Sequence, residues 1–240
     1  MADSRVLVVL ATYNEIENLP GLVDAIEQAL PDADILVIDD NSPDGTGRWC
    51  DERAVADGRL HCLHRKAKEG LGSATLVGLR WALEREDEVV VTMDADWSHD
   101  PQYLPELVKG AESADVAIGS RYCVGGAIEG WPIYRRVVSR AMNGLTRLAL
   151  RTPIRDASGA FRAYRSTALR RIDLSQVQAT GYSYLEEIVW HLYRAGCTFV
   201  EVPITFHERR AGASKVSATE AVAKMTTLIR LAFTNKSSSQ

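Results

Sequence analysis

Two hydrophobic periodicities alternate along the first half of the chain, and this alternation constrains the fold more than any other feature. Apolar runs of strand length occur at residues 6–10, 35–38, 60–63, 89–93 and 116–118, with amphipathic stretches between most of them. Residues 18–30 carry Leu19, Leu22, Val23, Ile26 and Leu30 at the spacing of one helix face, and residues 71–86 read as a second helix with glycines at its start. Strands that are apolar throughout must be covered on both faces, so these runs predict βαβ units around a mostly parallel sheet. In such α/β sheets ligands bind beyond the carboxyl ends of the strands. The residues that follow each run are therefore the candidates for chemistry.

From Gly125 the pattern changes. GGAIEG and Trp131-Pro132 predict a loop before a long amphipathic segment over residues 134–150. A strand-like stretch at 160–164, a helix at 184–195, a strand at 198–204 and a helix-like run at 218–233 follow, then a polar NKSSSQ tail expected to fray. The apolar stripe Val222, Met225, Leu228, Ile229 and Phe233 fits core closure, lipid contact or a partner helix equally well. The expected organisation is one domain over 1–234, with a nucleotide-type half at 5–124, an acceptor-type half at 125–234 and a disordered tail at 235–240. With 240 residues, 46% of them apolar, and a net charge of −4, the chain can bury a sizeable core and is not a disordered protein. No apolar run approaches the ~18 to 20 residues of a bilayer span. At the N-terminus Asn14 and Glu15 interrupt the first apolar run where a signal peptide needs it to continue. Four cysteines with no CxxC pair fit reduced thiols better than a disulfide framework. The mild acidity gives no reason to expect nucleic acid.

The sharpest motif is Asp94-Ala95-Asp96, after the fourth run. Two carboxylates at i and i+2, where a buried strand gives way to loop, can turn toward one cation, and oxygen-only ligands favour Mg²⁺ or Mn²⁺ with phosphate oxygens completing the shell. Surface loops are also rich in Asp, and hydrolases with an Asp nucleophile carry such a pair, though after their first strand. Asp39-Asp40 ends the second run, where carboxylates can accept hydrogen bonds from a base, and Asn41-Ser42-Pro43-Asp44-Gly45 supplies a tight turn. Thr12-Tyr13-Asn14-Glu15 follows the first run: an aromatic ring could lie along a base and Glu15 could bond to it, while helix-start chemistry explains the same residues. Lys68-Glu69-Gly70-Leu71-Gly72 opens the second helix and could present backbone N–H groups and a positive charge to a phosphate; close packing explains Gly72 and Gly78 equally well.

Taken together, ATYNE, DDNSPDGT, KEGLG, DADWSHDP, GSRY, DASGAFRAYR, GYSY followed by Glu187, and PITFHERRAGASK resemble the polyprenyl (dolichyl) phosphate mannosyltransferases of the inverting GT-A glycosyltransferase family two, in order from residue 5 to about residue 216. The resemblance implies a GT-A fold, an α/β architecture with a Rossmann-like nucleotide-sugar-binding half. The implied reaction moves mannose from GDP-mannose to a polyprenyl phosphate, giving the β-linked mannosyl phosphoprenol and GDP. It further implies Asp40 and Glu15 as guanosine contacts beside Thr12 and Tyr13. Asp94 and Asp96, flanking Ala95, become the metal and diphosphate site, Asp94 also near the sugar. Arg121, Arg209 and Lys215 become phosphate-binding cations, with Arg210 an alternative to Arg209. Some members carry a Gln metal ligand two residues after the second Asp; here that position is Ser98. The C-terminal membrane helices common in the family and the QxxRW motif of processive synthases are missing, so the implied partners are a separate membrane-anchor protein and the inner face of the cell membrane, reached from the cytoplasm.

A polyprenyl phosphate is already an anion near neutral pH, so this transfer needs no general base to remove a proton. Holding two phosphate-bearing molecules together against their repulsion is the harder task, and Arg, Lys and a divalent ion can offset it. Of five histidines, His99 beside the acidic pair reads as a loop hydrogen-bond partner, and His61 and His64 read as side chains on one face of a strand. Between Trp131 and Arg155 lie six arginines and no acidic residue. On a helix, Arg136, Arg140, Arg147 and Arg151 fall within an arc of about 60°, with Val137, Val138, Ala141, Met142, Leu145 and Leu148 across from them. Such a segment is either an ordinary core helix with a solvated Arg row or a basic amphipathic helix that docks on anionic lipid and guides the acceptor phosphate. Two other readings stay open: the same fold using UDP-glucose or another nucleotide sugar, and a non-catalytic lipid-binding scaffold.

Overall fold

A computed structural model describes residues 5–179, 181–208 and 218–237. The first half follows the alternation: β1 (Val6–Thr12), α1 (Leu19–Ala29), β2 (Asp34–Asp39), α2 (Thr46–Ala56), β3 (Leu60–His64), α3 (Leu71–Arg85), β4 (Val89–Asp94), α4 (Leu104–Ser113) and β5 (Val116–Ser120). The second half contributes β6 (Ala127–Ile128), α5 (Ile133–Leu150), β7 (Arg162–Arg165), α6 (Ser166–Leu169), α7 (Tyr184–Arg194), β8 (Phe199–Pro203), β9 (Thr205–Phe206) and α8 (Ala218–Ser237). The main sheet runs β3-β2-β1-β4-β7-β5-β8, and β6 pairs with β9 in a small parallel ribbon. Every neighbour in the main sheet is parallel except β7, which lies antiparallel between β4 and β5.

Alternate residues of β1 feed two cores. Leu7 and Val9 join Leu36, Ile38, Leu79, Val90 and Ile188 under α3 and α7, while Val8 and Leu10 join Leu22, Ile26, Val37, Val91 and Leu107 under α1 and α4. Each such aliphatic side chain, fully buried, is worth roughly 1.5 to 3 kcal/mol over an exposed one, which is why the strands are apolar on both faces. The chain moves from β1 outward to β2 and β3, then returns to lay β4 on the opposite flank of β1. That reversal makes the carboxyl ends of β1 and β4 the switch point of the sheet, the natural crevice of an open α/β fold. Gly78 lets α3 press onto β1, because a Cβ there would lie 2.4 Å from Val9 Cγ1. Gly72 is a packing glycine as well, its missing Cβ position 2.8 Å from the Ala179 carbonyl and from Tyr184 Cβ.

One expectation is corrected. His61 and His64 sit three apart on β3 and so face opposite sides of the sheet: His61 packs on Trp81, with ring centroids 5.1 Å apart, whereas His64 bonds to Asp51 of α2. α8 runs from Ala218 through Ser237. Its apolar stripe divides: Leu228 is buried with Leu150, Trp190 and Leu231, while Met225, Ile229 and Phe233 face outward. The Val222 side chain lies outside the described residues.

α5 reverses the usual amphipathic arrangement. Its buried positions are Asn143, Thr146 and Leu150, and Asn143 is held through hydrogen bonds with Ser158. Ile133, Tyr134, Val137, Val138, Leu145 and Leu148 are exposed, Leu148 by 77%. Arg136, Arg140, Arg147 and Arg151 flank that apolar stripe and are exposed too. No ion pair among the described residues opposes these four; Arg135, by contrast, pairs with Glu208 at 3.0 Å.

Candidate active site

At the switch point one cleft is lined by Thr12, Tyr13 and Glu15 after β1, Asp40 after β2, Lys68 and Gly70 before α3, Asp94, Ala95 and Asp96 at the end of β4, and Gly181 and Tyr182 before α7. The loops after three parallel strands converge there because their strands are adjacent in the sheet. Each loop contains one residue in the left-handed region: Asn14 (φ 60°), Asn41 (φ 58°) and Trp97 (φ 64°). Asn tolerates this conformation, but for Trp it is a strained one held by its surroundings. Trp97 Nε1 donates to the Asn18 carbonyl, fixing the loop that carries the acidic pair.

The end of the cleft beside β1 and β2 is built around carboxylates. Asp39 accepts from both the backbone N–H and the hydroxyl of Ser42, and Asp44 accepts from Thr46 and from the Ile16 N–H. Thr12 Oγ1 donates to the Ile38 carbonyl or Asp39 Oδ1, so this residue ties β1 to β2. Asp40 is 5% exposed, and burial pushes its carboxyl above the usual range although Arg65 works against the rise. Arg65 Nε lies 3.1 Å from Asp40 Oδ1 and the same side chain reaches Glu69. Arg65 is absent from the sequence-derived set, yet a signal for it exists. Asp39 is in register with His64, which puts a cation two residues past the third apolar run opposite an acid two residues past the second. Lys68 Nζ stands 4.0 Å over the Tyr13 ring, an attraction that poises an ammonium beside an aromatic face.

At the other end, Asp94 and Asp96 close β4. Asp96 is 5% exposed and accepts from the Ser98 N–H at 3.0 Å. Ser98, at the position of that further metal ligand, is buried; its N–H supports Asp96 and its carbonyl accepts from the His207 N–H. His99 accepts the Asp94 N–H at Nδ1, is stacked on Phe161, and burial lowers its imidazole to about 4, so it is neutral at physiological pH. It is a loop anchor. The donor set fits a hard divalent cation of the Mg²⁺ or Mn²⁺ kind: two carboxylates in one cleft, with room for diphosphate oxygens.

Arg121, expected at a phosphate, is paired with a carboxylate. It is buried and gripped by Asp156, which accepts from Arg121 Nε and Nη2, both at 2.7 Å, and from its backbone N–H at 2.9 Å. The guanidinium holds the Asp156 carboxyl below its usual range against the opposing effect of burial, and the pair clamps the end of β5 to the loop before β7. Arg209, Arg210 and Lys215 lie outside the described residues.

A cleft at the switch point of an α/β sheet, closed by an acidic pair at the end of the fourth strand, is the arrangement of the GT-A glycosyltransferase architecture. The model of glycosyl transferase family 2 matches residues 7–173, and the chain belongs to that family. It is 46% identical over 213 residues to an undecaprenyl-phosphate mannosyltransferase of Micrococcus luteus, covering 89% of this chain and 88% of that one. It is 47% identical over 215 residues to a polyprenol monophosphomannose synthase of Mycolicibacterium smegmatis, covering 89% and 81%. Among solved structures, glucosyl-3-phosphoglycerate synthase of Mycobacterium tuberculosis, bound to Mn²⁺, UDP and glucosyl-3-phosphoglycerate, superposes with a TM-score of 0.69 at 20% identity, over 96% of this chain and 81% of that one. A mannosyltransferase of Pyrobaculum calidifontis bound to GDP-Man and Mn²⁺ superposes at 0.61 with 18% identity, over 98% and 65%. The two structures share the fold.

Proposed function

We propose that the enzyme transfers mannose from GDP-mannose to a polyprenyl phosphate with inversion, at the inner face of the cell membrane. The observation that carries this is the single cleft joining Tyr13, Glu15, Asp40, Lys68, Asp94 and Asp96, in a chain nearly half identical to two named lipid-phosphate mannosyl enzymes. Glu15 and Asp40 accept hydrogen bonds from the guanine edge while the Tyr13 ring lies along the base. Lys68 approaches the diphosphate from its position over Tyr13. Asp94 and Asp96 would hold Mg²⁺ or Mn²⁺, which when bound neutralises charge on the diphosphate leaving group. The acceptor phosphate attacks as an anion, so no side chain has to remove a proton, and His99, neutral and already accepting from the Asp94 N–H, is not asked to. Arg209 or Arg210 and Lys215 meet the acceptor phosphate in this scheme.

The outward apolar stripe of α5 and its unopposed arginine row form the membrane-facing surface. Apolar side chains enter the interface while the flanking guanidiniums meet anionic headgroups. No described helix is long and apolar enough to cross a membrane. The test is a donor panel of GDP-mannose, GDP-glucose, UDP-glucose and UDP-N-acetylglucosamine against one polyprenyl phosphate in anionic vesicles with Mn²⁺, followed by NMR of the anomeric linkage. The expected result is a β-mannosyl phospholipid from GDP-mannose alone; preferential use of a UDP-sugar overturns the donor assignment.

A further inference from the structure

A second cluster of potential ligands lies on the outer edge of the sheet. Cys62 and His64 occupy alternate positions of β3, so both face α2, and Asp51 sits on the α2 turn above them. One ligand atom from each of Asp51, Cys62 and His64 lies within 4.8 Å of the other two, and no other trio of His, Cys, Asp or Glu among the described residues does so. We propose that Asp51, Cys62 and His64 form a binding site for a zinc-class transition-metal ion, separate from the acidic pair of the cleft.

The chemistry of the donors points the same way. One sulfur, one imidazole nitrogen and one carboxylate oxygen form a mixed set that suits a borderline-soft ion such as Zn²⁺ or Co²⁺ and is a poor match for Mg²⁺. His64 Nε2 and Asp51 Oδ1 are 2.8 Å apart, already aimed at one another with a shared proton that an ion would displace. Asp51 and His64 side chains are 62% and 47% exposed, which leaves a solvent-facing position for a fourth, non-protein ligand. The site also adjoins the end of the cleft beside β1 and β2. A Cβ on Gly47 would lie 2.9 Å from Asp39 Oδ2 and 3.0 Å from the His64 ring, and the residue after His64 is Arg65, the partner of Asp40. An ion here ties β3 to α2 beside the loop that holds the nucleotide.

Titration of the reduced, chelator-treated full-length protein with Co²⁺ tests the site. A thiolate-to-cobalt absorption band that grows to one equivalent and is abolished by Zn²⁺ is expected. The band should vanish in Cys62→Ser. Affinity should fall about tenfold or more in His64→Gln and in Asp51→Asn, both at exposed positions whose replacement leaves the fold intact. Asp94→Asn/Asp96→Asn should leave the band unchanged, which separates this site from the cleft. A missing band in the parent protein, a band that persists in Cys62→Ser, unchanged affinity in His64→Gln, or loss of the band with the acidic pair each overturns the proposal.

Discussion

The cleft and α5 break the rule of apolar inside and polar outside in opposite directions. At the ends of β1, β2 and β4, carboxylates are drawn inward, with Asp40 and Asp96 nearly sealed from water and supported by N–H donors or a guanidinium. On α5, valines and leucines are pushed outward while Asn143 and Thr146 take the buried positions. Neither arrangement maximises stability, because buried carboxylates are disfavoured by desolvation and exposed apolar surface forgoes burial. Under the proposed function each is matched to what it would meet: fixed acceptors for a nucleotide and a cation in one case, lipid in the other. The contrast separates positions where substitution should damage chemistry from positions where it should damage docking while leaving the fold untouched.

The largest expected effect tests the cleft side of that contrast. Asp96→Asn should lower turnover by about a thousandfold or more, several kcal/mol of lost charge stabilisation, with no change in thermal unfolding. Turnover within tenfold of the parent enzyme would remove the acidic pair from the chemistry. Asp156→Asn should instead act on stability, by about 3 to 5 kcal/mol in urea unfolding at pH 7, because it strands the buried Arg121 charge. The sign with pH follows from the depressed carboxyl: the parent keeps this contribution above the unfolded carboxyl range near pH 4 and loses it as pH falls toward the lower folded value. The Asp156→Asn variant should therefore lack that part of the acid-induced loss, and an identical slope below pH 4 would contradict the assignment. The smallest effect on the fold belongs to α5. Replacing Arg136, Arg140, Arg147 and Arg151 by Gln should weaken binding to anionic vesicles by up to about 4 kcal/mol, ~1 per cation, and change stability by no more than about 0.5 kcal/mol. Co-sedimentation unaffected by the four changes would return α5 to the category of solvated helices.

The contrast also marks where the sequence was legible. Strands β1 to β5 and helices α1 and α3 follow from apolar periodicity, because a parallel sheet covered on both faces leaves few other places for such runs. The cleft residues were findable for the same reason, since they follow those strands. Pairings that depend on three-dimensional closure were not. Arg121 and Asp156 are 35 residues apart, and nothing local says that the arginine of GSRY is buried against the aspartate of DASG. Periodicity identified α5 as amphipathic but could not say which face turns inward, because the buried face is polar and held by Ser158 from a distant loop. His61 and His64 looked like a pair on one face; a period of two puts them on opposite faces and gives His64 to Cys62 and Asp51.

β7 has a consequence for synthesis. Because it lies between β4 and β5, the two strands that precede it in the chain never touch each other as neighbours, and the sheet stays in two pieces until residues 162–165 arrive. A nascent chain that has emerged only through β5 therefore presents the open edge of β4, a template for pairing with other chains. Completion waits on a four-residue insertion, and a ribosome that stalls between β5 and β7 should release a sticky fragment, not a smaller folded domain.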